Sequence, residues 1–147
     1  MKTPTVSELA KMIDHSILHP VFTDTDLTTQ CEIARKYHVA SVCVKPYAVT
    51  QAHELLKGSD VEVGCVIGFP HGNSTTEIKV QEAELAARQG ATEIDMVINI
   101  GKALGGQWDY VENEIRAVTE ACPRNKAIVK VIFETDFVTT TEDKIRL

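Results

Sequence analysis

The stretch DHSILHPVFTD, residues 14–24, decides between the two folds open to this chain. It opens inside a short strand-like run, MIDHSIL (residues 12–18), and passes Pro20, which breaks any regular continuation. At its end Thr23 is followed by Asp24 and Asp26, a capping hydroxyl and two carboxylates suited to a helix N-terminus. The stretch is therefore a strand-to-helix connection, and it contains no glycine. A doubly wound parallel sheet usually places a glycine-rich phosphate loop at this point, because glycine lets the backbone approach a pyrophosphate closely. Its absence favours a (β/α)₈ barrel.

The same unit recurs along the chain. Further β-branched runs stand at VASVCVKP (39–46), VEVGCVIGFP (61–70), EIDMVINI (93–100) and AIVKVIFE (127–134). Between them lie one-sided apolar stripes: Leu27, Cys31 and Ala34; Val49, Ala52 and Leu56; Val111, Ile115, Val118 and Cys122. STTE (Ser74–Glu77) and TTTE (Thr139–Glu142) fit capping boxes, and Gly58 and Gly90 stand where helices end. Strands start roughly every 25 to 35 residues, as parallel pairing through helical crossovers requires. A full barrel typically takes about 250 residues. Residues 1–147 are thus expected to form the N-terminal portion of a single barrel domain, strands one to five with their helices. The first and fifth strands would then be open edges, favouring self-association.

A hydrophobic content of 44% with 24% charged residues fits a globular chain. The net charge of −6 and the lack of any Lys/Arg run argue against a nucleic-acid partner. No apolar run approaches the roughly 20 residues that cross a bilayer. Cys31, Cys43, Cys65 and Cys122 have no metal-ligand spacing, and no signal-peptide pattern opens the sequence. Reduced thiols in the cytoplasm are the expectation.

Two neighbouring strands are each expected to bury a single charge near their midpoints, where apolar residues would be usual. Alternation puts Asp95, Val97 and Asn99 on one face of the fourth strand, and Lys130, Ile132 and Glu134 on one face of the fifth. Asp95 and Lys130 are either a structural ion pair or an acid/base couple tuned by burial. His15 and His19 have the i, i+4 spacing of helical metal ligands, but Pro20 and the strand context oppose a helix, so no metal site is expected. His71 precedes a helix start, either in a plain turn or beside amides that could receive an anion. Cys43 reads as a small core residue or as a group on a barrel's active face.

Taken together, IDHSIL (13–18), ASVCVKP (40–46), VIGFPHGNSTTEIK (66–79), EIDMVINIG (93–101) and KVIFET (130–135) resemble the deoxyribose-phosphate aldolase family, along essentially the whole chain. The resemblance implies a class I aldolase on a (β/α)₈ barrel, needing neither metal nor cofactor. Such an enzyme reversibly splits 2-deoxy-D-ribose 5-phosphate into acetaldehyde and glyceraldehyde 3-phosphate through a lysine Schiff base. By the same resemblance Asp95 is the proton donor/acceptor and Lys130 an assisting lysine. Asp14, Ser16 and Cys43 line the substrate pocket. The implied partners are a small phosphorylated sugar and further copies of the chain, with no membrane.

The family's Schiff-base lysine lies on strand six, and its phosphate loops on strands seven and eight, which places them beyond Leu147. Ser16, His19, Lys45 and Asp136 depart from the residues usual at their positions. Two alternatives stand beside the aldolase reading. One is a non-catalytic barrel fragment acting by association with a partner chain. The other makes Lys130 itself the nucleophile, although Asp95 nearby would raise its pKa.

Overall fold

The computed structural model describes residues 3–122 and 127–147. Each apolar run named above becomes a parallel strand: β1 Asp14–Ile17, β2 Ser41–Val44, β3 Glu62–Ile67, β4 Glu93–Val97 and β5 Ile128–Ile132. A short helix α1 (Val6–Ala10) precedes them. The connections carry α2 (Asp24–Tyr37), α3 (Val49–Leu56), α4 (Thr76–Arg88), and the consecutive α5 (Ile100–Leu104) and α6 (Trp108–Ala121); α7 (Thr141–Arg146) follows β5. The strand order is β1-β2-β3-β4-β5, without the reversal that a doubly wound sheet requires.

This sheet is curled, not flat. Strands lie about 4.8 Å apart, so the edges of a flat five-stranded sheet would be roughly 19 Å from one another, out of reach of any lysine. Yet Lys130 on β5 donates a hydrogen bond to Asp14 on β1. The arrangement is that of five consecutive β/α units of a (β/α)₈ barrel, with the helices on the convex side.

Alternation along each strand sorts the two faces. Ile17, Val42, Val44, Cys65, Ile67, Ile94 and Met96 point outward and pack under the helices with Leu27, Ala34, Ala52, Leu56, Ala86 and Val118. The predicted stripes on α2 and α3 are all buried there, whereas Ile115 on α6 is only partly covered. All four cysteines are free and buried. Among the described residues no helix is long and apolar enough to cross a membrane.

Helix starts follow the sequence unevenly. Thr23 caps α2 in a reciprocal box with Asp26, its N–H donating to that carboxylate at 2.8 Å. On α7 the cap is Thr140, one residue later than expected. Its hydroxyl accepts the Asp143 N–H at 3.1 Å and donates to the Asp143 carboxylate, but the reciprocal bond from the Thr140 N–H does not form, so there is no capping box. The box expected at Ser74–Glu77 does not form. Thr75 is the cap of α4, which leaves Ile78 at the third helical position without a carboxylate to return the bond.

The β3–α4 connection is instead held from beneath. Lys79 and Glu114, on α4 and α6, are fully buried and pair at 2.9 Å. The Lys79 ammonium also donates to the carbonyls of Gly72 at 2.9 Å and Val97 at 2.8 Å. Gly72 has φ +65°, and a Cβ there would lie 1.7 Å from the Ile98 carbonyl oxygen. Gly64, in β3, has only ordinary contacts around its Cβ position, the nearest at 3.4 Å.

Gly72→Ala should therefore destabilise the fold by at least about 3 kcal/mol, from left-handed strain plus overpacking. Gly64→Ala should stay within about 1 kcal/mol of the parent. Urea-unfolding midpoints of the two variants check both values.

Candidate active site

The concave face of the sheet carries its charged groups, beside the buried Val66 and Val97, whereas the convex face is mainly apolar. Asp14 and Ser16 on β1, Ser41 and Cys43 on β2, Glu93 and Asp95 on β4, and Lys130 on β5 share it. The register sets Ser16 beside Cys43, and Asp95 beside Lys130. Sequence alternation found Asp95 and Lys130 but not Glu93, two residues earlier on the same strand face. The expectation of a single buried charge on each strand is corrected accordingly. β4 contributes two carboxylates, and the Lys130 side chain is 32% exposed.

Lys130 is the hub. Its ammonium hydrogen-bonds Asp14 and lies 3.0 Å from Glu93 Oε2 and 3.2 Å from Asp95 Oδ1. The latter two contacts are ion pairs without hydrogen-bond geometry, so Asp95 Oδ1 is buried and accepts no hydrogen bond. Its other oxygen, Oδ2, accepts one from the Cys43 thiol at 3.2 Å. Ser41 donates to Asp14 Oδ1 at 2.7 Å. The Ser16 hydroxyl faces the same space and has no hydrogen-bond partner among the described residues.

These contacts set the protonation states. Burial pushes Asp95 above the ordinary carboxylate range, opposed by the Cys43 hydrogen bond and the Lys130 charge. Asp14 also loses hydration, but its bonds from Lys130 and Ser41 outweigh that and hold it below the ordinary range. Burial disfavours the charged Lys130, yet Asp14, Glu93 and Asp95 hold it well above the ordinary lysine range. Burial and the neighbouring Asp95 charge push the Cys43 thiol far up, so it remains a thiol. Three carboxylates thus surround one cation, and Asp95, the most buried of them, is the one poised to take up a proton.

The remaining candidates lie outside this constellation. His15 points to the helix side, where its Nε2 meets Gln30 Oε1 at 2.7 Å. His19 sits in the following loop, its ring 5.6 Å from that of Phe22. They do not converge, and among the described residues no group of three His, Cys, Asp or Glu side chains could hold a metal. His71 is an exposed loop residue. Lys45 donates to the carbonyls of His19 and Phe22, both at 3.1 Å, and ties the β1–α2 loop to the end of β2. Asp136 is exposed in the turn after β5.

The raised pKa of Asp95 has a consequence for stability. Its charged form costs stability above the folded pKa, and the cost vanishes below the unfolded value of about 3.9. Asp95→Asn should therefore melt no lower than the parent at pH 7, with any gain shrinking as pH falls towards 4. Lys130 keeps Asp14 and Glu93 in the variant, so their contribution cancels. Thermal melts at the two pH values measure the difference, and a large loss at pH 7 would restore the purely structural ion pair.

Comparison with known proteins agrees with this geometry. The model of the DeoC/LacD family aldolases matches residues 8–141. A curated deoxyribose-phosphate aldolase from Treponema denticola is 50% identical over 131 residues, which cover 89% of this chain and 61% of that protein. A solved structure of a candidate deoxyribose-phosphate aldolase from Coccidioides immitis superposes with a TM-score of 0.90 at 39% identity, covering 99% of this chain and 56% of that one. The tetrameric deoxyribose phosphate aldolase from Aeropyrum pernix gives a TM-score of 0.82 at 29% identity, covering 90% and 55% of the two chains. The chain spans about three-fifths of the length of the curated relative. It belongs to the DeoC/LacD family of aldolases.

Proposed function

We propose that this chain carries the proton-transfer side of a class I aldolase site acting on 2-deoxy-D-ribose 5-phosphate. The observation that supports it most is Asp95: a buried carboxylate with a raised pKa, one oxygen bonded by the Cys43 thiol and the other 3.2 Å from the Lys130 ammonium without hydrogen-bond geometry. In retro-aldol cleavage the sugar's C3 hydroxyl loses a proton as the C2–C3 bond breaks. The bonding electrons pass into a protonated imine at C1, and the resulting enamine is protonated at C2. Asp95, working through water, accepts the first proton and returns the second. Lys130 acts beside it as a fixed cation, and Asp14, Ser16 and Cys43 line the substrate's path.

Lys130 is not the Schiff-base nucleophile in this proposal, because a lysine held among three carboxylates stays an ammonium ion at neutral pH. Lys79 is sealed in its ion pair and Lys45 is bound to two carbonyls. By the family resemblance the nucleophile and the phosphate site belong to strands six to eight of the fold, whereas the described residues form five strands. The free, buried cysteines support a cytoplasmic setting, and the tetrameric relative supports assembly as a homo-oligomer.

Three measurements on the gene's complete product test the reading. Asp95→Asn should lower kcat for deoxyribose 5-phosphate by about 10²–10⁴-fold, the range contributed by a positioned proton carrier. Borohydride with acetaldehyde should trap a covalent adduct on a lysine other than Lys130; an adduct mapped to Lys130 would overturn the assignment. Dialysis against a chelator should leave turnover unchanged, since the imine supplies the electron sink.

A further inference from the structure

Lys79 and Glu114 take no part in the chemistry above, yet both are completely buried. The ammonium meets three acceptors: Glu114 Oε2 and the carbonyls of Gly72 and Val97. Glu114 Oε2 in turn accepts the Asn99 N–H at 3.2 Å, while Oε1 has no partner. The pair therefore grips the backbone on both sides of Ile98 and pins the β3–α4 loop against it. Val97 is the last residue of β4 and lies two positions from Asp95, on the same strand face.

Stability is a poor explanation for this arrangement. Two desolvated charges, with one oxygen left unpartnered, are often matched or exceeded by a well-packed apolar pair of similar volume. What an apolar pair cannot provide is directed hydrogen bonds to Gly72, Val97 and Asn99. The local glycines fit the same purpose. A Cβ at Gly68 would lie 2.7 Å from Lys79 Cε, and one at Gly72 would strike the Ile98 carbonyl. Loop, lysine stem and strand end are packed as one clasp.

We infer that Lys79 and Glu114 are a positioning pair that holds the C-terminal end of β4, and with it the Asp95 carboxylate, in register for proton transfer. The catalytic meaning of this inference rests on the aldolase reading; the positional claim does not. Lys79→Met combined with Glu114→Leu removes both charges while keeping volume. The titratable groups facing Asp95, namely Cys43 on β2, Glu93 on its own strand and Lys130 on β5, and Cys65 on the opposite face of β3, are unchanged in this variant.

The test reads folding by thermal melting and the Asp95 titration by carboxyl ¹³C NMR, with kcat and KM measured on the complete gene product. The double variant should stay folded at the assay temperature but melt below the parent, because the Gly72 and Val97 carbonyls and the Asn99 N–H lose their side-chain partners. Water admitted at the loosened strand end should lower the Asp95 midpoint by about 0.5 unit or more. Turnover should fall about tenfold with KM within about twofold, because misplacement acts on the reacting geometry more than on binding. Glu114→Gln keeps an acceptor for Asn99 and serves if the double variant does not fold; its Asp95 midpoint should shift in the same direction. A folded variant with the Asp95 midpoint and kcat of the parent would overturn the inference and leave the pair purely structural. If the parent protein does not cleave the sugar phosphate, the aldolase reading fails, and the Asp95 titration still decides the positioning role.

Discussion

One ammonium group, that of Lys130, joins β5 to β1 across the concave face and is flanked there by both carboxylates of β4. That contact exists only because the sheet curls. The same curl turns the strand faces that carry Asp14, Cys43, Asp95 and Lys130 towards a common space. Charge balance in that space is unequal, with three carboxylates around one cation. The imbalance falls on the most buried carboxylate. Asp95 is therefore the group whose proton affinity rises, while Asp14, better hydrogen-bonded, stays an anion.

The convex face does the opposite work. Ile17, Val42, Val44, Cys65, Ile67, Ile94 and Met96 bury apolar surface under the helices, the main favourable contribution to folding. On β1, β2, β4 and β5 this division leaves one side to the apolar core and the other to the polar and charged groups around Lys130. A polar residue on the concave face does not interrupt the core, because the next residue along the strand points the other way.

The helix layer also holds ionic structure, but of a different kind. Lys79 and Glu114 face inward from α4 and α6 and bond to backbone rather than to solvent or to the concave face. They show how one apolar layer accommodates a charged pair: every ammonium hydrogen has an acceptor, and the neighbouring glycines remove the side-chain bulk that would block the approach. The β3–α4 loop is held by this clasp, and no capping box forms at STTE, where Thr75 and not Ser74 is the cap residue.

Much of this was legible in the residues. The five strands follow from β-branched runs and α2 from its stripe and Thr23 cap, since both patterns are local consequences of backbone geometry. The barrel-like order followed from the glycine-free connection after β1. Asp95 and Lys130 stood out as charges in apolar runs. Glu93 was equally available by alternation from Asp95. Lys79 was available too, at the head of the buried Lys79, Ala83 and Ala86 positions of α4, and Glu114 between Val111 and Val118 on α6. Residue order alone determined the elements and the polar face of each strand. Only the tertiary structure decided that Lys130 reaches Asp14 across 116 residues, that Asp95 keeps one oxygen without a hydrogen bond, and that Lys79 finds Glu114. Those facts depend on distances between strands and helices remote in sequence, and curvature and packing, not local periodicity, set such distances.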